Sequence, residues 1–115
     1  MSARASAEAS PICPGGAPLN TNVTLRSNHQ YAIVNDSEDD ILVTIVAKLA
    51  DTRGNNATES RVNLQVSANG SERAAVQAFF VANYDSPGTV TLIASTFITG
   101  GASASALNQC DFEVN

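Results

Sequence analysis

The chain has 115 residues, enough for one domain with one principal core and too few for two. Charged residues make up only 15%, the net charge is −5, and the six basic residues (Arg4, Arg26, Lys48, Arg53, Arg61, Arg73) stand singly, which argues against nucleic-acid binding and a basic membrane-surface helix. No apolar run approaches the roughly 18 residues that span a bilayer, so membrane insertion is not expected either.

Residues 1–18 have the composition of a flexible arm: small residues, Pro11, Pro14, Pro18 and the pair Gly15-Gly16. No apolar stretch of signal-peptide length follows Met1. The alternating small residues resemble the downstream side of an A-x-A cleavage region, which suggests a mature chain whose export signal has been removed; a leaderless native chain is the alternative. The arm contains Cys13, and the other cysteine, Cys110, lies near the far end of the chain. A disulfide joining the two terminal segments is the leading reading in a chain this rich in Ser, Thr and Asn. Two free thiols, or bonds between subunits, are the other readings.

From residue 19 to 115 the pattern is that of a single β domain. Apolar and polar residues alternate with period two, interrupted by Asn, Asp, Gly and Ser clusters. Seven strands are predicted, at Thr21–Ser27, His29–Asn35, Ile41–Ala50, Ser60–Ala68, Arg73–Asn83, Thr89–Thr99 and Leu107–Val114. The segments between them suit turns: Asp36-Ser37-Glu38-Asp39-Asp40, Arg53-Gly54-Asn55-Asn56, Asn69-Gly70, Ser86-Pro87-Gly88 and the loop from Gly100 to Ser105. Residues 72–82 also have helix-forming character, with Asn69 and Glu72 at capping-box spacing, so a helix competes with a strand there. A strand is preferred because Val76, Ala78, Phe80 and Ala82 alternate.

Two strands carry apolar residues on both faces. Ile41, Val43, Ile45, Ala47 and Leu49 make one side of the third strand, yet Leu42 and Val46 lie on the other. Val90, Leu92, Ala94 and Ile98 are opposed by Ile93 and Phe97 in the same way. A sandwich buries one face of each sheet, so Leu42, Val46, Ile93 and Phe97 are candidates for a subunit or partner interface. A bulge that shifts parity, or cover from the arm, is the competing explanation.

The chemistry on offer is sparse. His29 is the only histidine, which excludes any site needing two His ligands from one chain, and it is expected to be an exposed polar residue at a strand start. No nucleophile elbow and no phosphate-cradling glycine motif occurs, so the protein is expected not to be an enzyme and to need no cofactor. The acidic turn offers Asp36, Glu38, Asp39 and Asp40 as oxygen ligands for calcium, without EF-hand spacing; a solvated turn is the plainer reading. Asn22, Asn35, Asn56 and Asn69 head N-x-S/T sequons, which arise readily in this composition. Tyr31 and Tyr84 are the tyrosines available for a sugar platform.

From Tyr31 to Ser95 the order of features resembles the immunoglobulin-like β-sandwich modules of bacterial surface and secreted proteins, CARDB-type domains among them. The residues that carry the resemblance are Val34-Asn35, the acidic turn with Ile41-Leu42-Val43-Thr44-Ile45, Val62-Asn63-Leu64-Gln65-Val66 with Ala68-Asn69-Gly70-Ser71, Val76–Val81, and Pro87-Gly88-Thr89-Val90-Thr91-Leu92. The resemblance implies a non-catalytic module for adhesion, spacing or assembly and transfers no site residue. The chain departs from antibody domains in having no Trp and in placing its cysteines near the termini. The expectation is therefore an all-β, immunoglobulin-like sandwich, extracellular, at the cell surface or periplasmic, with a structural or protein-interaction role. A self-assembling subunit that uses its arm and intersubunit disulfides, partnering itself as a homo-oligomer, and a carbohydrate-binding module are the alternatives.

Overall fold

Period-two alternation translates into seven strands: β1 Ala3–Ile12, β2 Asn22–Asn35, β3 Ile41–Asp51, β4 Asn56–Val66, β5 Ser71–Asn83, β6 Gly88–Gly100 and β7 Ala104–Val114. The computed structural model describes residues 3–115. The strands form two sheets, β1-β2-β5 and β4-β3-β6-β7, in which every pairing is antiparallel. This is the arrangement of an immunoglobulin-like sandwich. Residues 72–82 lie in β5, which buries Ala78, Phe80 and Ala82 in the alternation of a strand.

Two expectations are corrected. The segment 1–18, expected to be a flexible arm, supplies β1, paired to β2 from Ala3↔Asn35 to Ile12↔Arg26; Met1 and Ser2 lie outside the described residues. Ala3, Ala5, Ala7 and Ala9 pack inward while Arg4, Ser6, Glu8 and Ser10 face out. The edge of β2 holds N–H and C=O groups that need partners, and this satisfies them despite the poor strand propensity of alanine. Beyond β1, Ala17 is buried and is bonded through N–H and C=O to Glu113 and Asn115.

The second correction concerns His29. The two strands expected at Thr21–Ser27 and His29–Asn35 are one continuous strand, so Leu25, Ser27, His29, Tyr31, Ile33 and Asn35 all share the inward parity and are buried. His29 is therefore a core residue, with 0% exposure.

The interior is two apolar clusters separated by a polar waist. One cluster holds Leu25, Leu49, Phe80, Tyr84, Val90, Leu92, Phe112 and Val114. The other holds Tyr31, Ile33, Val43, Ile45, Val66 and Ile98. Between them Ser27 Oγ lies 2.7 Å from His29 Nε2, and the Thr96 hydroxyl donates to the Val46 carbonyl at 2.8 Å while accepting from the Tyr31 hydroxyl.

The two sheets close on each other at both sides, β1 against β7 and β4 against β5. A disulfide between Cys13, just after β1, and Cys110 on β7 ties the first of these seams, with Cα atoms 6.1 Å apart. The molecule is a rod whose Cα extents are 56 × 18 × 16 Å. At the end of β6 the backbone turns at Gly100 (φ 106°), where a Cβ would come within 2.6 Å of the Leu42 carbonyl oxygen, so no side chain fits. Among the described residues no helix is long and apolar enough to cross a membrane.

Candidate functional site

The outer face of the four-stranded sheet follows from parity. Val43, Ile45, Ala47 and Leu49 of β3 and Val90, Leu92, Ala94, Thr96 and Ile98 of β6 point into the core, which turns Leu42, Thr44, Val46, Lys48 and Ala50, and Thr91, Ile93, Ser95, Phe97 and Thr99, outward. The register sets them in rows: Val46 beside Phe97, Lys48 beside Ser95, Ala50 beside Ile93. All four residues expected at an interface thus share one face. Leu42 is 51% exposed, and Val46, Ile93 and Phe97 are half-buried by their neighbours.

Two further apolar residues join them. Val62 on β4 and Leu107 on β7 are 67% and 68% exposed. The run Val62-Asn63-Leu64-Gln65-Val66 puts Val62 on the side of Leu64 by simple alternation, but a register shift opposite Val43–Ile45, with Asn63 at φ 56°, reverses its parity. Asn63 was the available signal, since Asn tolerates positive φ. Leu107 was legible by parity, since it lies an odd number of positions before buried Phe112 and so faces the other way. Lys48 is the one charge in this apolar section, its ammonium 5.6 Å from the Phe97 ring centroid, where the ring face attracts it. Towards the other end of the sheet the face becomes acidic: Asp111 accepts from the Thr91 hydroxyl at 2.8 Å and Glu113 from that of Thr89.

The remaining candidates are dispersed or consumed. Asp36 pairs with Arg4, and Asp40 accepts from the Ala68 N–H and the Gln65 amide, each at 2.8 Å. Asp39 offers its backbone carbonyl to Asn35 and Ser37. Among the described residues no three His, Cys, Asp or Glu side chains are grouped to hold a metal ion. Asn35, a sequon residue, is buried and donates to the Asp39, Val66 and Ser67 carbonyls while accepting from Ser37, which closes it to modification in the folded chain. Tyr31 and Tyr84 are both buried, so neither forms a sugar platform. The Tyr84 hydroxyl donates to Asp51 at 2.6 Å; burial, then this bond to a carboxylate, raises its pKa. Burial alone would raise the Asp51 pKa, but hydrogen bonds from Tyr84, Asn55 and Arg53 reverse this and hold it below 3.8. Ser27 and His29 are within bonding distance, but both are fully buried, so no substrate reaches the serine.

The outer face of the three-stranded sheet differs in kind. A shallow groove of about 550 Å³ crosses it, lined by Ser6, Glu8, Gln30, Ala32, Arg73 and Ala75. Its exposed apolar residues are Ile12, Phe79 and Val81, with the Arg26 guanidinium 5.8 Å from the Phe79 ring centroid. Charges from Arg4, Glu8, Arg26 and Arg73 divide it, whereas the apolar section of the four-stranded sheet holds Lys48 alone.

No protein-family model matches the chain, and no curated protein sequence does either. Among solved structures, the chain is similar to a Northeast Structural Genomics Consortium target, SoR45, at 12% identity and TM-score 0.45, covering 96% of this chain and 86% of that one. It is also similar to AvmM, which catalyses macrocyclization in alchivemycin A biosynthesis, at 10% identity and TM-score 0.43, covering 95% and 87%. The ApaA protein of Bordetella pertussis shares 11% identity at TM-score 0.40, covering 96% and 90%. At these scores nothing about activity, ligand or partner passes to this chain.

Proposed function

We propose that this protein is a non-catalytic, extracytoplasmic structural module that associates with other protein through the outer face of its four-stranded sheet. The observation that carries the reading is the set Leu42, Val46, Val62, Ile93, Phe97 and Leu107 gathered on one side of one sheet, in rows fixed by the β3–β6 register. Apolar residues concentrated in that way mark association surfaces more often than scattered single exposures do. The Cys13–Cys110 disulfide supports an oxidising compartment, and the resemblance to CARDB-type surface modules points the same way. The sandwich supplies a rigid platform, because its buried polar groups are nearly all bonded and β3 and β6 are the central strands of their sheet.

The test is made in the producing cells. Fractionation followed by non-reducing mass spectrometry is expected to find the protein outside the cytoplasm with the disulfide formed and held in a particulate assembly. A Phe97→Ser, Leu107→Ser double variant, which changes only outward side chains, is expected to be released from that assembly while keeping its melting temperature. Cytoplasmic protein with free thiols, or equal retention of variant and wild type, overturns the reading.

A further inference from the structure

We infer that the protein covering this face is a second copy of the same chain, packed sheet to sheet about a two-fold axis. The inference rests on the docking role proposed above and names its occupant. The strand order β4-β3-β6-β7 has two central strands. A two-fold axis running along the strands between β3 and β6 therefore exchanges β3 with β6 and β4 with β7, and leaves every row at its own height.

The side chains suit that operation. Val46 and Phe97 are direct cross-strand partners, so the axis lays each Phe97 over the second copy's Val46, and Ile93 likewise over the second copy's Ala50. Leu107 shares a row with Ser95, Lys48 and Thr58, so it falls over the second copy's Thr58. Lys48 falls over the second copy's Ser95 hydroxyl, which accepts from its ammonium; the two copies' Lys48 side chains flank the axis one strand apart, each on its own Phe97 ring, and are not stacked directly on each other. Asp111 lies in the row of Thr91, to whose carbonyl the Thr52 N–H bonds, so the axis sets Asp111 over the second copy's β3–β4 turn; Arg53 of that turn keeps its guanidinium on Ser86 and the Pro87 carbonyl and 5.7 Å from the Tyr84 ring centroid. Phe97 and Ile93 thus meet apolar residues, and Leu107 meets a threonine.

Size agrees as well. Four strands of 11, 11, 13 and 11 residues, at about 4.8 Å spacing and about 3.3 Å rise, present roughly 750 Å² per copy, close to the roughly 800 Å² per partner of a stable interface. The three-stranded sheet fails the same operation. Its central strand is β2, so an axis along it sets Arg26 against the second copy's Arg26.

Sedimentation velocity of the full, disulfide-bonded chain from low micromolar to near-millimolar concentration tests this. The expected result is a reversible dimer that Val46→Lys and Phe97→Lys each weaken by roughly 100-fold, as loss of a central contact does, while Phe79→Lys on the opposite sheet leaves it unchanged. Methyl NMR of the wild type on dilution guards against variants that misfold: shifts are expected at Val46, Ile93 and Leu107 and not at Val81. A wild-type monomer throughout the range, or a dimer indifferent to Val46→Lys whose dilution shifts fall elsewhere, overturns the inference. A monomer leaves the broader docking role standing, since retention in the producing cells reads that role separately.

Discussion

His29 sits in the polar waist with one ring nitrogen satisfied and one not: Nε2 bonds Ser27, and Nδ1 has no partner among the described residues. Burial pushes its pKa below 6.5, so the folded state holds the ring neutral where the unfolded chain protonates it. A lowered folded pKa gives stability that is full above 6.5 and is lost as pH falls below that value. Asp51 acts in a separate window: its carboxyl is held below 3.8, so its contribution persists until the pH drops under that value. Between pH 7 and 5 the wild type should lose stability at up to about 1.4 kcal/mol per pH unit, and His29→Gln should flatten the slope whatever it does to absolute stability. Urea unfolding across that range measures it; parallel slopes for the two proteins would contradict the assignment. Sequence patterning misplaced this residue because the polar run Asn28-His29-Gln30 resembles a turn. It is one strand crossing a waist where the core itself is polar.

At the scale of elements, β1 is the strand held least by its side chains. Its inward residues are Ala3, Ala5, Ala7 and Ala9, each adding only a methyl group to the core, so its attachment depends on the ladder to β2 and on Cys13 at its root. The disulfide closes a chain separation of 97 residues, worth roughly 4 to 5 kcal/mol by restricting the unfolded chain. Reduction should therefore lower stability by that amount, and the β1 amides should exchange with deuterium sooner than those of β3 and β6. Unchanged melting on reduction, with β1 protected as well as β3, would contradict this. Strands β3, β5 and β6 were legible to within a residue or two, because each keeps an unbroken apolar series at period two, even where its other face is partly apolar as well. Alanine and serine alternating in β1 gave no such contrast, and only the proximity of an unpaired strand edge makes them a strand. The outward placement of Leu42, Val46, Ile93 and Phe97 was legible too. Val62 was not, since a single bulge residue decides its side and local pattern does not encode pairing register.

At the scale of the molecule, a rod of 56 Å has two broad sheet faces and two ends of turns. The turns at 36–40, 67–70 and 101–103 lie at one end, with the start of β1, and those at 52–55 and 84–87 lie at the other, with the end of β7. The start of β1 and the end of β7 thus lie at opposite ends of the rod, and the two faces differ in how charge divides them. The four-stranded sheet is the face proposed to meet other protein. Leu42 and Phe79 offer an internal control, being 51% and 52% exposed on opposite sheets. Hydroxyl-radical footprinting of the protein in its native setting, with rates normalised to the denatured chain, reads the two faces together. Leu42, Phe97 and Leu107 are expected to be protected several-fold relative to Phe79 and Val81. Equal labelling of the two faces, or protection confined to Phe79 and Val81, would contradict it.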